Sequence, residues 1–312
     1  MTLDPLGPLL ADDATMLLDG GLATELTARG HDLDDPLWSA KVLLDEPAAI
    51  EQVHDDYLRA GADVAIAATY QASLPGLRAR GLSSDQARAL LERAVGLARR
   101  ACDRAAAARP GRPRPLAIAS LGAYGAYLAD GSEYRGEYSI DDAGLARYHR
   151  ERLEIVAPHA DLVACETIPC LREAQCLARV LTDVPVPAWI AFCCRDGAHV
   201  GHGEPIEACA AAIAAVPSVV AVGINCTAPR YVEPLVTRLR AVTDRPIVVY
   251  PNAGERYEDG QWCGSRTTPA QMVALAQRWH GAGARIVGGC CRTTPGHVAA
   301  LHQWRQRLCA RS

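Results

Sequence analysis

Eight short apolar runs punctuate the chain: "TMLLDGG" (15–21), "ADVAIAAT" (62–69), "PLAIASLG" (115–122), "DLVACET" (161–167), "PAWIAFCC" (187–194), "VVAVGINC" (219–226), "PIVVYPN" (246–252) and "ARIVGGCC" (284–291). Each is brief, rich in Ala or β-branched residues, and apolar throughout. Strands of a parallel sheet buried on both faces have this pattern. Longer amphipathic stretches lie between them, at 46–62, 83–108, 139–159, 170–181, 204–216, 229–242, 268–284 and 294–310. Their Ser/Thr and Pro starts and Gly ends are helix punctuation. Parallel strands need crossover connections, and here each strand is followed by a helix. Eight such units predict a single (β/α)8 TIM barrel over residues 1–312, with the active site at the C-terminal ends of the strands. A doubly wound open sheet is the alternative. Its Gly-rich phosphate turn is missing, because "DGGLATE" is not G-x-G-x-x-G.

Composition narrows the class. Of 312 residues, 49% are hydrophobic and 22% charged, as in ordinary soluble proteins. A formal charge of −4 without a dense Lys/Arg stripe argues against nucleic acid as partner. The N-terminus lacks the basic start of a signal peptide, and no apolar run is long enough to span a membrane. The expected location is therefore the cytoplasm. There, the 12 cysteines should stay reduced. Cys102, Cys165, Cys170, Cys176, Cys209, Cys263 and Cys309 read as small buried hydrophobes.

The polar residues at strand ends carry the candidate chemistry: Asp19-Gly20-Gly21, Thr69-Tyr70-Gln71, Glu166-Thr167, Cys193-Cys194, Asn225-Cys226, Asn252 and Cys290-Cys291. The stretch after the third strand, 123–139, holds Tyr124, Tyr127, Tyr134 and Tyr138, which suggests a lid or a binding wall. Zinc prefers sulfur and nitrogen ligands, and a catalytic site keeps three protein ligands with one position free. Cys226, Cys290 and Cys291 end the sixth and eighth strands, and could meet at a barrel mouth. Gly288 and Gly289 would let the backbone turn and aim both thiols. Spacing alone leaves other readings open: a vicinal disulfide, idle core thiols, or the rival pair Cys193-Cys194. His202 is the best-placed histidine but reads as a loop residue.

The segments "LLDGGLATEL", "YLRAGADVAIAATYQAS", "GAYGAYLADGSEYRGEY", "LVACET", "GINCTAP", "VVYPNAGE" and "GARIVGGCCRTTP" resemble the homocysteine S-methyltransferase family. The resemblance runs from about residue 15 to 300. "YGAYLADGSEYRG" is closer to the bacterial and plant branch that uses S-methylmethionine. It implies a (β/α)8 barrel binding zinc through Cys226 in "GINC" and Cys290 and Cys291 in "GGCC", with the homocysteine sulfur as fourth ligand. It also implies that Asp19 and Glu166 bind homocysteine. The Cys193-Cys194 pair departs from the family pattern. The expected activity is zinc-dependent transfer of a methyl group from a sulfonium donor, S-methylmethionine or S-adenosylmethionine, to homocysteine, forming methionine. Gly20, Asn225, Tyr70 and Tyr127 are further candidate substrate contacts, and Trp38 a candidate wall for the sulfonium, because aromatic faces hold soft cations. Betaine as donor and selenocysteine as acceptor fit the same chemistry. A redox-thiol protein and a barrel with structural zinc are the non-methyltransferase alternatives.

Overall fold

The computed structural model describes residues 4–11, 14–35, 37–258 and 261–309. Ala310, the last residue of the final expected helix, lies outside them, and so does the side chain of Cys309. All eight expected strands form: β1 (Met16–Leu17), β2 (Val64–Ile66), β3 (Leu116–Gly122), β4 (Leu162–Ile168), β5 (Ala188–Phe192), β6 (Val219–Asn225), β7 (Ile247–Tyr250) and β8 (Ala284–Val287). They make one parallel sheet in the order β1-β8-β7-β6-β5-β4-β3-β2. The two end strands then meet through one backbone bond and two carboxylates. The Asp63 amide donates to the Leu17 carbonyl at 2.8 Å, and the Leu17 amide donates to the Asp63 carboxylate at 2.8 Å. One layer higher, the Asp19 carboxylate accepts the Ile66 amide at 2.8 Å. Carboxylates thus take the place of part of the ladder at the seam of a (β/α)8 barrel.

Strand alternation sorts the apolar residues into two cores. Met16, Leu18, Ile118, Leu162, Ala164, Trp189, Ala191, Val248, Tyr250 and Ile286 fill the barrel interior. Leu17, Ala117, Val163, Cys165, Ile190, Val222 and Val249 face the surrounding helices. Two-residue periodicity then turns Ser120 and Glu166 inward, one step above Ile118 and Ala164. The short helix Gly7–Leu10 was not expected from the pattern; Leu6 beside it is buried in the interior core. At Gly223 a Cβ would stand 1.7 Å from the Val248 carbonyl, so β6 and β7 approach too closely for any side chain there.

The helices sit where the pattern put them, for example Pro47–Ala60, Ser84–Ala107, Asp142–Val156 and Pro269–Ala282. Ser83 with Gln86, and Thr268 with Gln271, form capping boxes. Gly61 and Gly283 end their helices at φ 113° and 118°. One helix per strand is too simple a description. Leu22–Ala28 and Ser39–Asp45 precede Pro47–Ala60, and the stretch after β3 folds into Tyr124–Leu128 and a 3-10 turn, Ser132–Tyr134. Cys102, Cys165, Cys170, Cys176 and Cys209 are buried as expected, but Cys263 is exposed. It ends a small hairpin, Arg256–Glu258 with Gln261–Cys263, that stands apart from the barrel sheet. No helix among the described residues is long and apolar enough to cross a membrane.

Candidate metal centre and its surroundings

The sulfurs of Cys226, Cys290 and Cys291 lie within 4.8 Å of one another, and among the described residues no fourth Cys, His, Asp or Glu joins the group. Cys290 and Cys291 are 3.9 Å apart, far beyond a sulfur–sulfur bond. Two strand ends and one interlocking loop assemble the group. Cys226 follows β6 with φ 44°, a conformation uncommon outside glycine, and its amide donates to the Tyr250 carbonyl at 3.3 Å. The Cys290 amide donates to the Pro251 carbonyl at 2.9 Å, tying the β8 end to the β7 end. The two glycines act differently from the expectation. Neither has a positive φ; the left-handed turn is at Arg292, φ 68°. Instead they permit close approach: a Cβ on Gly288 would lie 2.4 Å from Leu18, and one on Gly289 2.4 Å from Thr293.

The three thiols hydrogen-bond one another and shift one another's ionisation. Hydrogen bonds from Cys226 and Cys290 hold the Cys291 thiol well below its ordinary range. Cys226 is pushed well above it, first by its bond with Cys290. Three thiols this close cannot all ionise without a cation among them. Sulfurs on one tetrahedral ion with bonds of about 2.3 Å would lie roughly 4 Å apart, so the donor set fits zinc.

Two buried carboxylates flank the thiols. Glu166 accepts hydrogen bonds from Ser120 and from the Tyr250 hydroxyl, which in turn accepts Trp189 Nε1 at 3.0 Å. Burial lifts its carboxyl to about 7 against those two donors, with the charge of Cys291 adding to the rise. Burial also raises Asp19 well above the carboxylate range, although its bond to Ile66 opposes this; the charge of Glu166 adds to it. Among the described residues, neither acid forms an ion pair with a basic side chain.

The other expected contacts divide. Asn225 spends its amide on the neighbouring strand: Oδ1 accepts the Thr167 amide at 2.7 Å and Nδ2 donates to Thr167 Oγ1 at 2.8 Å. It thereby holds Thr167 at φ 62°, directly after Glu166. Gly20 is packed, with a Cβ there meeting Thr293 and Tyr57 at 2.8 Å. Tyr70 bonds Thr167 and feels the charge of Cys226, and its ring lies edge-on to Trp38 at 6.3 Å. Tyr127 packs in an aromatic stack with Tyr124 (5.7 Å) and Tyr148 (6.1 Å). Tyr134 is 41% exposed overall, yet its hydroxyl is shielded and within electrostatic reach of all three thiols.

Several contributors are not apparent from the sequence. Arg152 is fully buried, has no carboxylate partner among the described residues, and donates to the carbonyls of Gly122 (3.0 Å), Thr69 (2.9 Å) and Tyr70 (2.7 Å). It orders the ends of β2 and β3 behind Tyr70. Glu173, also buried, accepts the Tyr124 amide, the Tyr138 hydroxyl and His149 Nε2, each at 2.8 Å, and so anchors both ends of the tyrosine-rich segment. Both residues sit within helices, where sequence gives no sign of such a task. Tyr250 was discoverable, because it holds the inward parity of its strand.

Cys193 and Cys194 stand outside the thiol group. Cys193 Sγ donates to the Glu133 carbonyl at 3.2 Å, and Cys194 packs against the helix-side core. Cys194→Ser should leave metal content unchanged, as read by elemental analysis of purified protein; metal loss would mean that this pair takes part in binding. His202 is a half-exposed loop residue bonded to Glu204 at 3.0 Å.

An eight-stranded barrel thus gathers at its mouth three thiols that could hold a metal ion, with two buried acids beside them. The chain belongs to the homocysteine S-methyltransferase family, whose profile matches residues 16–305, and is a methyltransferase. It is 44% identical over 313 residues to a homocysteine S-methyltransferase of Bacillus subtilis, covering 98% of this chain and 99% of that one. It is likewise 44% identical over 303 residues to a selenocysteine Se-methyltransferase of Brassica oleracea, covering 92% of this chain and 88% of the other. Among solved structures, the metallated form of the Escherichia coli homocysteine methyltransferase MmuM superposes with TM-score 0.87 at 44% identity, covering 99% of this chain and 100% of that one.

Proposed function

We propose that the protein transfers a methyl group from a sulfonium donor, S-methylmethionine in the first instance, to the thiol of L-homocysteine, with zinc held by Cys226, Cys290 and Cys291. The observation that carries this reading is a group of three thiols, with no fourth ligand among the described residues, beside two uncompensated buried acids. A structural zinc site would have four protein ligands. When bound, zinc would stabilise the homocysteine sulfur as a thiolate, the reactive form of a group whose free pKa is about 8.5.

The chain's own residues bind and orient. Asp19 and Glu166 take the substrate α-ammonium through charge-assisted hydrogen bonds, which supply the cation both acids lack. Ser120, Tyr250 and Trp189 keep Glu166 in place, and Asn225 fixes the turn after it. Tyr70 and Tyr134 present aromatic faces to a cationic donor. The sulfur–methyl bond of the donor breaks as the new sulfur–carbon bond forms. Its electron pair stays on the donor sulfur, which leaves as a neutral thioether, so no general acid is needed. What remains for the protein is in-line positioning.

Methionine formation should be followed with homocysteine and S-methylmethionine, S-adenosylmethionine or betaine in turn, with and without a chelator. Activity should require a sulfonium donor, fall on chelation and return with added zinc. Full activity in metal-free protein would overturn the reading. Selenocysteine as acceptor is a second reading, favoured by the similarity to the Brassica enzyme.

A further inference from the structure

Glu133 is a third acid at the barrel mouth, and the function above leaves it without a task. Its Oε2 is shielded from solvent and has no hydrogen-bond partner among the described residues. Its backbone is clamped. A Cβ on Gly125 would come within 2.2 Å of the Glu133 amide nitrogen, and one on Gly201 within 2.2 Å of the Tyr134 carbonyl. The Glu133 carbonyl also accepts the Cys193 thiol at 3.2 Å. The side chain is therefore presented by a fixed turn, Ser132–Tyr134, rather than by a loose loop. The turn packs against β4, the strand that carries Glu166, which places it at the mouth of the barrel. Arg135, the nearest basic residue in sequence, is exposed and donates to the Asp130 carbonyl instead.

We infer that Glu133 recognises the α-ammonium of an amino-acid methyl donor. This rests on the functional reading above, and adds the residue that selects the donor class. The chemistry decides which donor charge it meets. The sulfonium charge disappears as the methyl group departs, so a carboxylate against it would stabilise the ground state and slow transfer. The α-ammonium keeps its charge through the reaction. Binding there strengthens ground and transition states equally and lowers the donor KM without lowering kcat.

The test uses the full-length, zinc-loaded protein as wild type, Glu133→Gln and Glu133→Asp. S-methylmethionine is the donor, and dimethylsulfoniopropionate, a sulfonium carboxylate without an amine, is a competitive probe. Glu133→Gln should raise the S-methylmethionine KM roughly 10- to 100-fold, the loss of one charge-assisted hydrogen bond. The kcat, the homocysteine KM, the zinc content and the inhibition constant of the amine-free probe should stay as in wild type, and Glu133→Asp should fall between. An unchanged donor KM overturns the inference. So does an equal weakening of both sulfoniums, or a variant that loses zinc or melts early. A wild type that forms no methionine from any donor instead overturns the functional reading beneath it.

Discussion

Cys226→Ala is expected to remove both bound metal and methyl transfer. Cys226 is the one sulfur contributed by the end of β6, while Cys290 and Cys291 are neighbours after β8. Without it two adjacent thiols remain, and they cannot surround an ion from two sides. The loss of rate has two parts. A free substrate thiol with a pKa of about 8.5 is only a few per cent ionised near pH 7, which costs roughly thirtyfold. Losing the anchor that places the sulfur in line costs roughly a further hundredfold, the effect of a misplacement of about 1 Å. The expected fall is thus roughly a thousandfold or more, measured as methionine formation alongside metal per chain. A metal-free variant with wild-type activity would refute the assignment of all three cysteines.

Glu166→Ala should leave the metal in place and weaken homocysteine binding. The carboxylate does not belong to the sulfur group, and the backbone bonds that place Cys226 and Cys290 run to the Tyr250 and Pro251 carbonyls rather than to it. On the proposed reading its removal takes away a buried hydrogen bond to a charged ammonium, worth about 1.5–3 kcal/mol, or roughly 10- to 150-fold in homocysteine KM. Glu166→Gln keeps the size and can still accept from Ser120 and Tyr250, but carries no charge. It should show most of the same defect, which separates charge from packing. An unchanged homocysteine KM in both variants would remove Glu166 from the substrate site. The two predictions separate cleanly: one variant loses metal, and the other keeps it.

The periodic features are legible in the chain itself. Apolar runs at regular intervals, each followed by an amphipathic stretch, are enough for a parallel barrel. A strand buried on both faces cannot tolerate polar residues until it ends, so the first polar or thiol residues mark the mouth. Asp19, Glu166, Cys226, Cys290 and Cys291 stand out for that reason, and the resemblance to a known family gives them roles. Cys263 defies the expectation of burial because its hairpin interrupts the segment between β7 and β8, where composition does not distinguish an exposed thiol from a buried one.

What the chain could not reveal one residue at a time is which distant groups share a space. Glu166 and Ser120 are 46 positions apart, Asn225 and Thr167 58, and Arg152 and Tyr70 82. None of these pairs leaves a local pattern, since each is made by barrel closure rather than by helix or strand period. The glycines before the cysteines show the same division. Their presence is evident in sequence, but their reason, close approach to Leu18 and Thr293 rather than a left-handed turn, belongs to packing. The sequence by itself determined the barrel and the residues at its mouth, because burial and periodicity are local demands. Only the tertiary structure decided which thiols meet, which acids lack a counter-charge and which residues merely brace them, because those depend on distances between strand ends.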